Sequence, residues 1–503
     1  MILGDSVSEK KAQNLFASGN TAYLNGDFTN ALNAYQGALK ITQSNPDIFC
    51  NLGSLYQDMG AIQEAEKNWK IALELNSLHT SAMFNLGMLL QDQKRFTEAI
   101  DIYKNLINIE PDYSTYANLG SAFHQSNQLL EAADAYRKSQ SIIRQILENE
   151  PHEDLIEKLI PILSSVYENL GRCLSRAIDR IIINDKSDKN EFDKMNEMKN
   201  EALAAFKAAI SLDPTKSISQ HMLNALEGND NSNTAPAEYV TQLFDDYSDN
   251  FEESLKNLKY AVPSLMAGEL RIQRQKMKTQ WSIALDLGCG TGLLADALIE
   301  HSEIVMGVDL SPKMLSKAEE RNIYHHLFSG DMTMWIKSVS GWLSSENLIP
   351  KYNTKVMDEV EISDDGEISR RKSSGSIVKE VSSKLYTHDV PALATLLENT
   401  ISLGPVLVTA ADVLNYVGDL KQVMDSVRGV LSGGGTFVFT VEHLKDSNNN
   451  QWKLQSNGRF AHRRSYIESL AYEIGLNINS IAEVELRVEE TKAVEGLLVV
   501  LTL

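Results

Sequence analysis

The sequence predicts two domains of different fold class: an all-α solenoid of helical hairpins, followed by an α/β domain with a doubly wound parallel sheet. Two observations predict this. Residues 8–226 repeat a pattern of small and aromatic residues, whereas apolar strand segments alternate with helical segments after residue 280. The length of 503 residues also exceeds what one hydrophobic core normally holds, so at least two domains are expected.

The repeat is visible at two positions of each unit. Glycines recur at 19, 53, 87 and 120, and alanines at 31, 65, 99 and 132, each alanine being followed four residues later by Tyr35, Trp69, Tyr103 or Tyr136. A glycine lets a second helix approach the backbone closely. We therefore expect Gly53 to accept a packed helix, with Tyr56 and Trp69 filling the space between neighbouring hairpins.

The period of 33 or 34 residues and the residue types at each position closely resemble the tetratricopeptide repeat. A fifth unit is interrupted, because the helix-like segments at 168–174 and 201–214 are separated by extra charged residues. We expect that interruption to form a loop or extended helices, and residues 8–226 to form a right-handed solenoid of about five hairpins.

The resemblance to peptide-binding members of the repeat family implies a protein or peptide partner on the concave face. Asparagines recur near the start of each first helix, namely Asn14, Asn51, Asn85 and Asn118. They are candidates to hold the partner's backbone. Helix packing is the alternative role for these side chains.

Residues 227–237 contain the polar segment GNDNSNTAP, which predicts a linker. Residues 238–503 have a different pattern, in which strand-like segments alternate with helical segments. The strand-like segments are SIALDLG, EIVMGVDL, GPVLVTAADVL and GTFVFTVE. This alternation predicts a doubly wound parallel sheet. The last residues have the pattern of a strand, a turn and a second strand.

The segment DLGCGTG, residues 286–292, follows the first predicted strand. Its Gly-x-Gly-x-Gly spacing differs from the Gly-x-Gly-x-x-Gly fingerprint of dinucleotide-binding folds. Asp286 precedes the first glycine by two residues. A carboxylate at that point would repel a pyrophosphate, but it suits the sulfonium and ammonium of S-adenosyl-L-methionine. The segment resembles motif I of the S-adenosylmethionine-dependent methyltransferases, whose Rossmann-like class I fold also ends in a strand hairpin.

That resemblance implies a set of cofactor-binding residues. Asp309 closes the second strand and would bind the ribose hydroxyls, because a carboxylate accepts two hydrogen bonds at once. Asp331 would lie near the adenine amine, with Leu310 and Met332 beside the ring. The complete implied set is Asp286, Gly288, Gly290, Gly292, Asp309, Leu310, Asp331 and Met332.

Three further segments resemble the predicted methyltransferases that contain tetratricopeptide repeats, and with the repeats they extend the resemblance over nearly the whole chain. These are QLFDDYSDNFEESL, AADVLNYVGDL and LQSNGRFAHRRSYIESL. In such relatives the segment around Phe244, Tyr247 and Phe251 covers the cofactor site, and its aromatic rings would suit a sulfonium. The core of an amphipathic helix is the alternative reading of these three residues.

One segment departs from the family pattern. Residues at about 338–388 mix acidic and basic clusters with serine and glycine, which predicts a disordered insertion. This segment lies near the substrate face of the predicted fold, where family members pass more quickly from the third strand towards the fourth.

Methyl transfer is an in-line displacement that alignment alone promotes, so a dedicated base is dispensable. The catalytic candidates are Asp412 and Tyr416, beyond the fourth strand, and His462 further along. Capping of the next helix is the alternative role for Asp412, and a structural role is the alternative for His462. Arg459, Arg463 and Arg464 are candidates to recognise a carboxylate or phosphate on the substrate, and a solvated face is their alternative role.

Composition narrows the function class. A net charge of −21 argues against nucleic-acid binding by a broad surface, and three scattered cysteines argue against a zinc site or a disulfide framework. We expect no signal peptide, no membrane span and no metal, and hence a soluble cytoplasmic protein.

These features together predict an S-adenosylmethionine-dependent methyltransferase whose repeats recruit a protein partner or substrate. One alternative is a small-molecule substrate, with the repeats as a docking platform. Another is a scaffold protein with an inactive or cofactor-sensing methyltransferase domain. A nicotinamide-dependent dehydrogenase is disfavoured by the glycine spacing.

Overall fold

The computed structural model describes residues 2–42, 44–150, 152–183, 189–229, 233–248, 251–344, 360–362, 368–370, 405–431, 434–445, 450–489 and 492–503. The chain divides into two compact units, Met1–Leu223 and Asn224–Leu503. The boundary lies three residues before the predicted end of the solenoid at residue 226. Among the described helices, none combines the length and apolar character needed to cross a bilayer.

The first unit is built of helices that pack in consecutive pairs. The pairs are α1 (Ile2–Leu24) with α2 (Phe28–Leu39), α3 (Pro46–Asp58) with α4 (Ile62–Leu75), α5 (Thr80–Asp92) with α6 (Phe96–Ile109), α7 (Tyr113–Gln125) with α8 (Leu129–Asn149), and α9 (Glu153–Ile183) with α10 (Lys189–Leu212). The described helices from α1 to α10 thus form five consecutive pairs.

A glycine–aromatic contact closes each hairpin. A Cβ atom placed on Gly53 would lie 2.5 Å from Nε1 of Trp69, and the indole also donates a 3.1 Å hydrogen bond to the Cys50 carbonyl. The other pairs are Gly19 with Tyr35, Gly87 with Tyr103, Gly120 with Tyr136, and Gly171 with Phe206. The Trp69 ring thus lies against the glycine of its own hairpin, although the sequence had suggested a position between neighbouring hairpins.

The interrupted fifth unit consists of two extended helices, which was one of the two expected forms. α9 has 31 residues and α10 has 24. Gly171 and Phe206 meet as the equivalent residues of the shorter hairpins do. Residues 184–188, between the two helices, lie outside the described part of the chain.

Two of the recurring asparagines form bonds between neighbouring repeats. Nδ2 of Asn51 donates to Oδ1 of Asn20 at 2.8 Å, and Nδ2 of Asn85 donates to Oγ of Ser54 at 3.3 Å. These contacts hold the first helices of adjacent hairpins together. They correspond to the packing role that the sequence left as an alternative.

In chain order, the remaining elements are α11 (Ser217–Glu227), α12 (Ala237–Tyr247), α13 (Phe251–Asn257), α14 (Val262–Lys276), β1 (Trp281–Leu287), α15 (Ala295–His301), β2 (Ser302–Asp309), α16 (Pro312–Glu320), β3 (His326–Ser329), α17 (Met332–Ser344), β4 (Val360–Ile362), β5 (Ile368–Arg370), β6 (Val406–Ala410), a one-turn 3₁₀ helix (Leu414–Tyr416), α18 (Lys421–Val430), β7 (Thr436–His443), β8 (Trp452–Leu454), β9 (Phe460–His462), α19 (Arg464–Ile474), β10 (Asn477–Glu489) and β11 (Lys492–Thr502). α11 spans the boundary between the two units.

The main sheet has the strand order β10-β11-β7-β6-β1-β2-β3. The neighbours from β7 to β3 run parallel, whereas β11 is antiparallel to both β7 and β10. All seven residues of β1 are buried, as expected for a strand covered by helices on both faces. The doubly wound sheet and its closing hairpin are as predicted.

The end of the predicted linker belongs to the second unit. Thr234 forms a β-bridge with Val417, and the backbone N–H of Ala235 donates to the Tyr416 carbonyl at 2.8 Å. Ala235 is also buried. The prediction of a linker over 227–237 is therefore corrected at these residues, because their backbone and apolar groups are satisfied by the domain itself. Residues 230–232 are outside the described chain.

The prediction of a disordered insertion at about 338–388 is corrected in part. α17 continues to Ser344, and β4 pairs with β5 in a short antiparallel ladder. The rest of that segment, with the residues up to 404, lies outside the described part of the chain.

Candidate cofactor and active site

The glycine turn between β1 and α15 is held in a backbone conformation that disfavours other residues. The φ angles of Gly288, Gly290 and Gly292 are +65°, +54° and +79°. A Cβ on Gly288 would collide with Val413, and one on Gly292 would lie 2.9 Å from the Tyr324 ring. A Cβ on Gly290 would have no atom of the described residues within 4 Å. The first and third glycines are therefore required by packing, while Gly290 faces open space.

Asp309, the last residue of β2, closes this turn. Its Oδ2 accepts a 2.8 Å bond from the Gly290 N–H, and its Oδ1 accepts a 2.9 Å bond from the Ser311 N–H. Burial raises the pKa of Asp309 to about 6, with these N–H bonds acting in the opposite direction. A carboxylate has about four acceptor positions. Asp309 thus keeps capacity to accept bonds from ligand hydroxyls.

Asp286 lies beneath the turn, and only 1% of its surface is exposed. Oδ1 accepts a 2.7 Å bond from the Thr409 hydroxyl, and Oδ2 accepts a 2.7 Å bond from the Tyr324 hydroxyl. Burial raises the pKa of Asp286 to about 6, and the two hydroxyl bonds oppose that rise. The carboxylate predicted to face a cation is thus directed at two protein hydroxyls in this structure.

Tyr324 supports the turn in a second way. Its ring lies against both Gly292 and Gly307, at 2.9 Å from a Cβ placed on either. Sequence reasoning missed Tyr324 and Thr409, because they are 38 and 123 residues from Asp286. The local pattern around neither residue indicates this contact.

The residues predicted to surround adenine lie close to β2 and β3. Asp331 caps α17, since its Oδ1 accepts a 2.8 Å bond from the Met334 N–H. Met332 is 7% exposed and belongs to the apolar core, whereas Leu310 is half-buried beside the cluster of Val240 and Tyr416. Gly330 donates its N–H to the Asp309 carbonyl at 3.0 Å, which brings the two loops together.

An aromatic cluster links α12 and α13 to the 3₁₀ helix. The Phe244 ring lies edge-on to Tyr416 at 5.6 Å and edge-on to Phe251 at 6.2 Å between centroids. The side chain of Tyr247 lies outside the described part of the chain. Burial raises the pKa of Tyr416 well above its ordinary value, so this phenol stays neutral.

Polar contacts attach the same helices to the loops after β1 and β2. Oδ1 of Asp245 accepts a 2.6 Å bond from the Ser311 hydroxyl. A carboxylate oxygen of Glu252 accepts a 3.3 Å bond from the Thr291 hydroxyl and pairs with Arg321. The helices α12 and α13 therefore contact the Asp309 loop and the glycine turn respectively.

Five charged side chains form what we call the ionic network: Asp412, Glu442, Arg459, Arg487 and Glu489. Arg487 is 2% exposed and donates to both oxygens of Asp412 at 3.1 and 2.9 Å, to Glu489 at 2.8 Å, and to Glu442. Arg459 donates to Glu489 at 2.6 Å and pairs with Glu442 at 3.3 Å. Arg459, predicted to recognise an anionic substrate group, instead pairs with two carboxylates of the protein.

The backbone of Asp412 is strained, with φ of +53°. Non-glycine residues in this region are concentrated at functional sites. The Asp412 N–H donates to the Thr440 hydroxyl at 2.9 Å. Burial raises the pKa of Asp412, while the charge of Arg487 acts against that rise. The alternative role as a helix cap is not what the structure shows, because the 3₁₀ helix begins without a side-chain cap bond.

The structure does not support His462 as a catalytic base. Its side chain is fully buried in β9, and Nε2 lies 2.9 Å from the carbonyl oxygens of both Val417 and Gly418. Burial lowers the pKa of His462 to about 4. A neutral imidazole that donates to main-chain carbonyls orders the loop after the 3₁₀ helix, so the alternative structural role applies.

The described residues contain no group of three or more His, Cys, Asp or Glu side chains placed to hold a metal ion.

A family model described as methyltransferase domain matches residues 284–341. Models described as TPR repeat or tetratricopeptide repeat match residues 19–60, 50–117 and 113–146. The chain carries tetratricopeptide repeats and a methyltransferase domain.

Individual relatives match each part separately. Over 113 residues the chain is 27% identical to the small glutamine-rich tetratricopeptide repeat-containing protein 2 of Saccharomyces cerevisiae, covering 22% of this chain and 33% of that protein. Over 53 residues it is 43% identical to the 18S rRNA (guanine-N(7))-methyltransferase of Mus musculus, covering 10% and 19%. The matched segments thus span a third or less of these relatives.

Among solved structures, a crystal structure of MamA protein is 20% identical to this chain, with a TM-score of 0.30, and the match covers 41% of this chain and 94% of that one.

Proposed function

We propose that the methyltransferase domain binds S-adenosyl-L-methionine against the glycine turn and Asp309, and transfers its methyl group to an acceptor. The observation that carries this proposal is the geometry of Gly290. Its Cβ position is open and its N–H is bonded to Asp309. A ligand can therefore approach the main chain while its hydroxyls reach a carboxylate that the same turn holds in place.

The charge around the turn fits this cofactor and not a dinucleotide. Asp286, Asp309 and Asp245 all lie at or beside the turn and the loop after β2. Carboxylates so placed repel a pyrophosphate and attract a sulfonium or an ammonium. When bound, S-adenosylmethionine supplies the activated methyl carbon. The chain's own residues position it: Asp309 accepts from the ribose, and α12 with α13 cover the site and exclude water.

The repeats support the second part of the proposal, which is that they recruit a protein or peptide partner or substrate. Repeat solenoids expose extended surfaces for such binding. The cysteines Cys50, Cys173 and Cys289 are unpaired and buried, as expected in a reducing compartment, and we place the protein in the cytoplasm. The competing function is a scaffold whose methyltransferase domain only senses the cofactor or is inactive.

Calorimetric titration of the full chain with S-adenosylmethionine tests the first part. We expect a Kd on the order of micromolar, lost in Asp309→Ala and in Gly290→Arg, whose side chain would occupy the cofactor's space. Gly268→Arg is the matched control, because a Cβ at Gly268 in α14 meets nothing within 4 Å and lies outside the site.

Failure of the intact protein to bind S-adenosylmethionine would refute the cofactor assignment. Binding without transfer of labelled methyl groups to any protein of a cell extract would favour the cofactor-sensing scaffold. Equal binding of NADH would revive the dehydrogenase alternative.

A further inference from the structure

Asn415 carries a hydrogen-bond acceptor for which the described protein supplies no donor. The residue lies in the 3₁₀ helix, is 1% exposed, and donates from Nδ2 to Oδ1 of Asp412 at 3.2 Å. That bond sets the orientation of the amide, because the reverse orientation would place Oδ1 against a carboxylate. Oδ1 is left without a partner among the described residues. Buried acceptors in this state are rare and favour a ligand that donates.

The ionic network beside Asn415 carries more negative than positive charge. Its three carboxylates face two guanidinium groups, so one negative charge is uncompensated within the described part of the chain. Glu442 and Arg487 are almost fully buried, at 4% and 2% exposure. An unbalanced charge away from water favours a cation nearby. The unsatisfied acceptor Asn415 Oδ1 and the excess negative charge thus both favour a ligand that is a positively charged hydrogen-bond donor.

Their position connects them to the cofactor site. Val413, between Asp412 and Asn415, packs directly on Gly288 of the glycine turn. The negative charges of Asp412 and Asp286 both contribute to raising the pKa of Tyr260, whose burial is the main cause, so this phenol lies near both carboxylates. The pair therefore lies at the carboxyl ends of β1 and β6, where open α/β sheets bind their ligands.

We propose that Asp412 and Asn415 form the methyl-acceptor subsite, and that the acceptor is an amine nitrogen. This inference rests on the proposed methyltransferase function. The nitrogen lone pair forms the new N–C bond as the C–S bond of S-adenosylmethionine breaks, which yields S-adenosylhomocysteine and a methylammonium. Asn415 Oδ1 accepts one N–H, and the carboxylate of Asp412 stabilises the positive charge that the methylated nitrogen keeps.

Other acceptor classes fit less well. A carboxylate oxygen has no hydrogen to donate to Asn415 and would be repelled by the ionic network. A hydroxyl would satisfy one acceptor but ends the reaction as a neutral ether, without the lasting charge that the network matches. An amine meets both requirements.

Sinefungin provides a probe that needs no knowledge of the natural acceptor. In this analogue a carbon bearing a primary amine replaces the methylsulfonium, so that an ammonium lies where the methyl group meets the acceptor. We expect the full chain to bind sinefungin about tenfold or more tightly than S-adenosylhomocysteine, equivalent to about 1.4 kcal/mol. Calorimetry at neutral pH measures both constants.

Two variants test whether Asp412 and Asn415 cause the preference for sinefungin. Asp412→Asn should abolish the preference for sinefungin, and Asn415→Leu, which keeps the size but removes the acceptor, should reduce it several-fold. Binding of S-adenosylhomocysteine within a few-fold of the parent shows that each variant is folded.

The outcomes distinguish failure of the proposed function from failure of the amine-acceptor assignment. If S-adenosylhomocysteine does not bind to the parent, the proposed function itself fails. If it binds but sinefungin binds no better, the amine acceptor is refuted. If the preference survives in both variants, the assignment to Asp412 and Asn415 is wrong.

Discussion

Replacement of Tyr324 by Phe removes one hydroxyl from the buried carboxylate of Asp286 while leaving the ring that supports the glycine turn. A hydrogen bond to a charged group contributes about 1.5–3 kcal/mol, whereas one to a neutral group contributes about 0.5–1.5 kcal/mol. The cost of Tyr324→Phe therefore depends on whether Asp286 is ionised. The Thr409 hydroxyl remains as the second donor.

The way in which the cost of Tyr324→Phe changes with pH follows from the pKa of Asp286, which burial raises from 3.8 to about 6. In the unfolded chain this carboxyl ionises first, so its contribution to stability is full below about pH 4 and falls as pH rises through 6. The variant raises the pKa further, so its stability continues to fall at higher pH. We expect Tyr324→Phe to destabilise the domain by about 1–2 kcal/mol more at pH 8 than at pH 5.

Urea unfolding followed by tryptophan fluorescence measures this difference, because four of the five tryptophans (Trp281, Trp335, Trp342 and Trp452) belong to the second unit. Asp309, whose pKa is also raised, is unchanged in the variant, so its titration cancels in the comparison.

Tyr239→Phe is the matched control, since its hydroxyl donates to the neutral Asn457 carbonyl at 3.2 Å and its loss should cost the same at both pH values. An equal cost of Tyr324→Phe at pH 5 and pH 8 would refute the reasoning.

Three further predictions concern stability. Gly53→Ala should destabilise its hairpin by about 1 kcal/mol, because overpacking against Trp69 (about 1–3 kcal/mol) exceeds the gain in helix propensity. The control Gly37→Ala, where the new Cβ makes ordinary contacts, should stabilise its helix by about 0.5–1 kcal/mol. Hydrogen exchange measures both effects, and equal changes of protection in the two variants would contradict this prediction. Burial lowers the pKa of His124 to about 3. Acidification from pH 6.5 to 5 should therefore lower the free energy of unfolding of the first unit by about 2 kcal/mol. The His124→Gln variant should not show this loss, and thermal unfolding at several pH values measures the difference. Arg487→Met should cost about 3–5 kcal/mol in urea unfolding, because Asp412, Glu442 and Glu489 lose this guanidinium and Glu442 is almost fully buried. Arg487→Lys should cost less, and equal costs would indicate that shape matters more than charge.

Most of the fold was predictable, because its signals are local or periodic. The glycines and aromatics of the repeats recur at fixed spacing, and each pair is brought together by one helical hairpin. The turn at 288–292 was also predictable from sequence, since three φ angles of +54° to +79° within five residues strongly favour glycine. The two extended helices of the fifth hairpin were one of two expected forms.

The roles of the polar site residues were not predictable in the same way. His462 and Arg459 have residue types common in active sites, but the fold buries one against carbonyls and pairs the other with carboxylates. The contact of Arg487 with Asp412 joins residues 75 apart, and no local pattern encodes it. The sequence pointed to Asp412 by its place after a strand; the structure supplied its partners.

The sequence alone thus determined the order of the two domains, the repeat period, the strand succession and the glycine turn, since each depends on residues close together in the chain. Tertiary structure decided what each polar group of the site faces: Asp286 faces two hydroxyls, Asp412 faces Arg487, and Asn415 is left with an acceptor that no described residue satisfies. The physical reason is that a buried charge or amide is governed by the few atoms that contact it, and folding brings those atoms from distant strands.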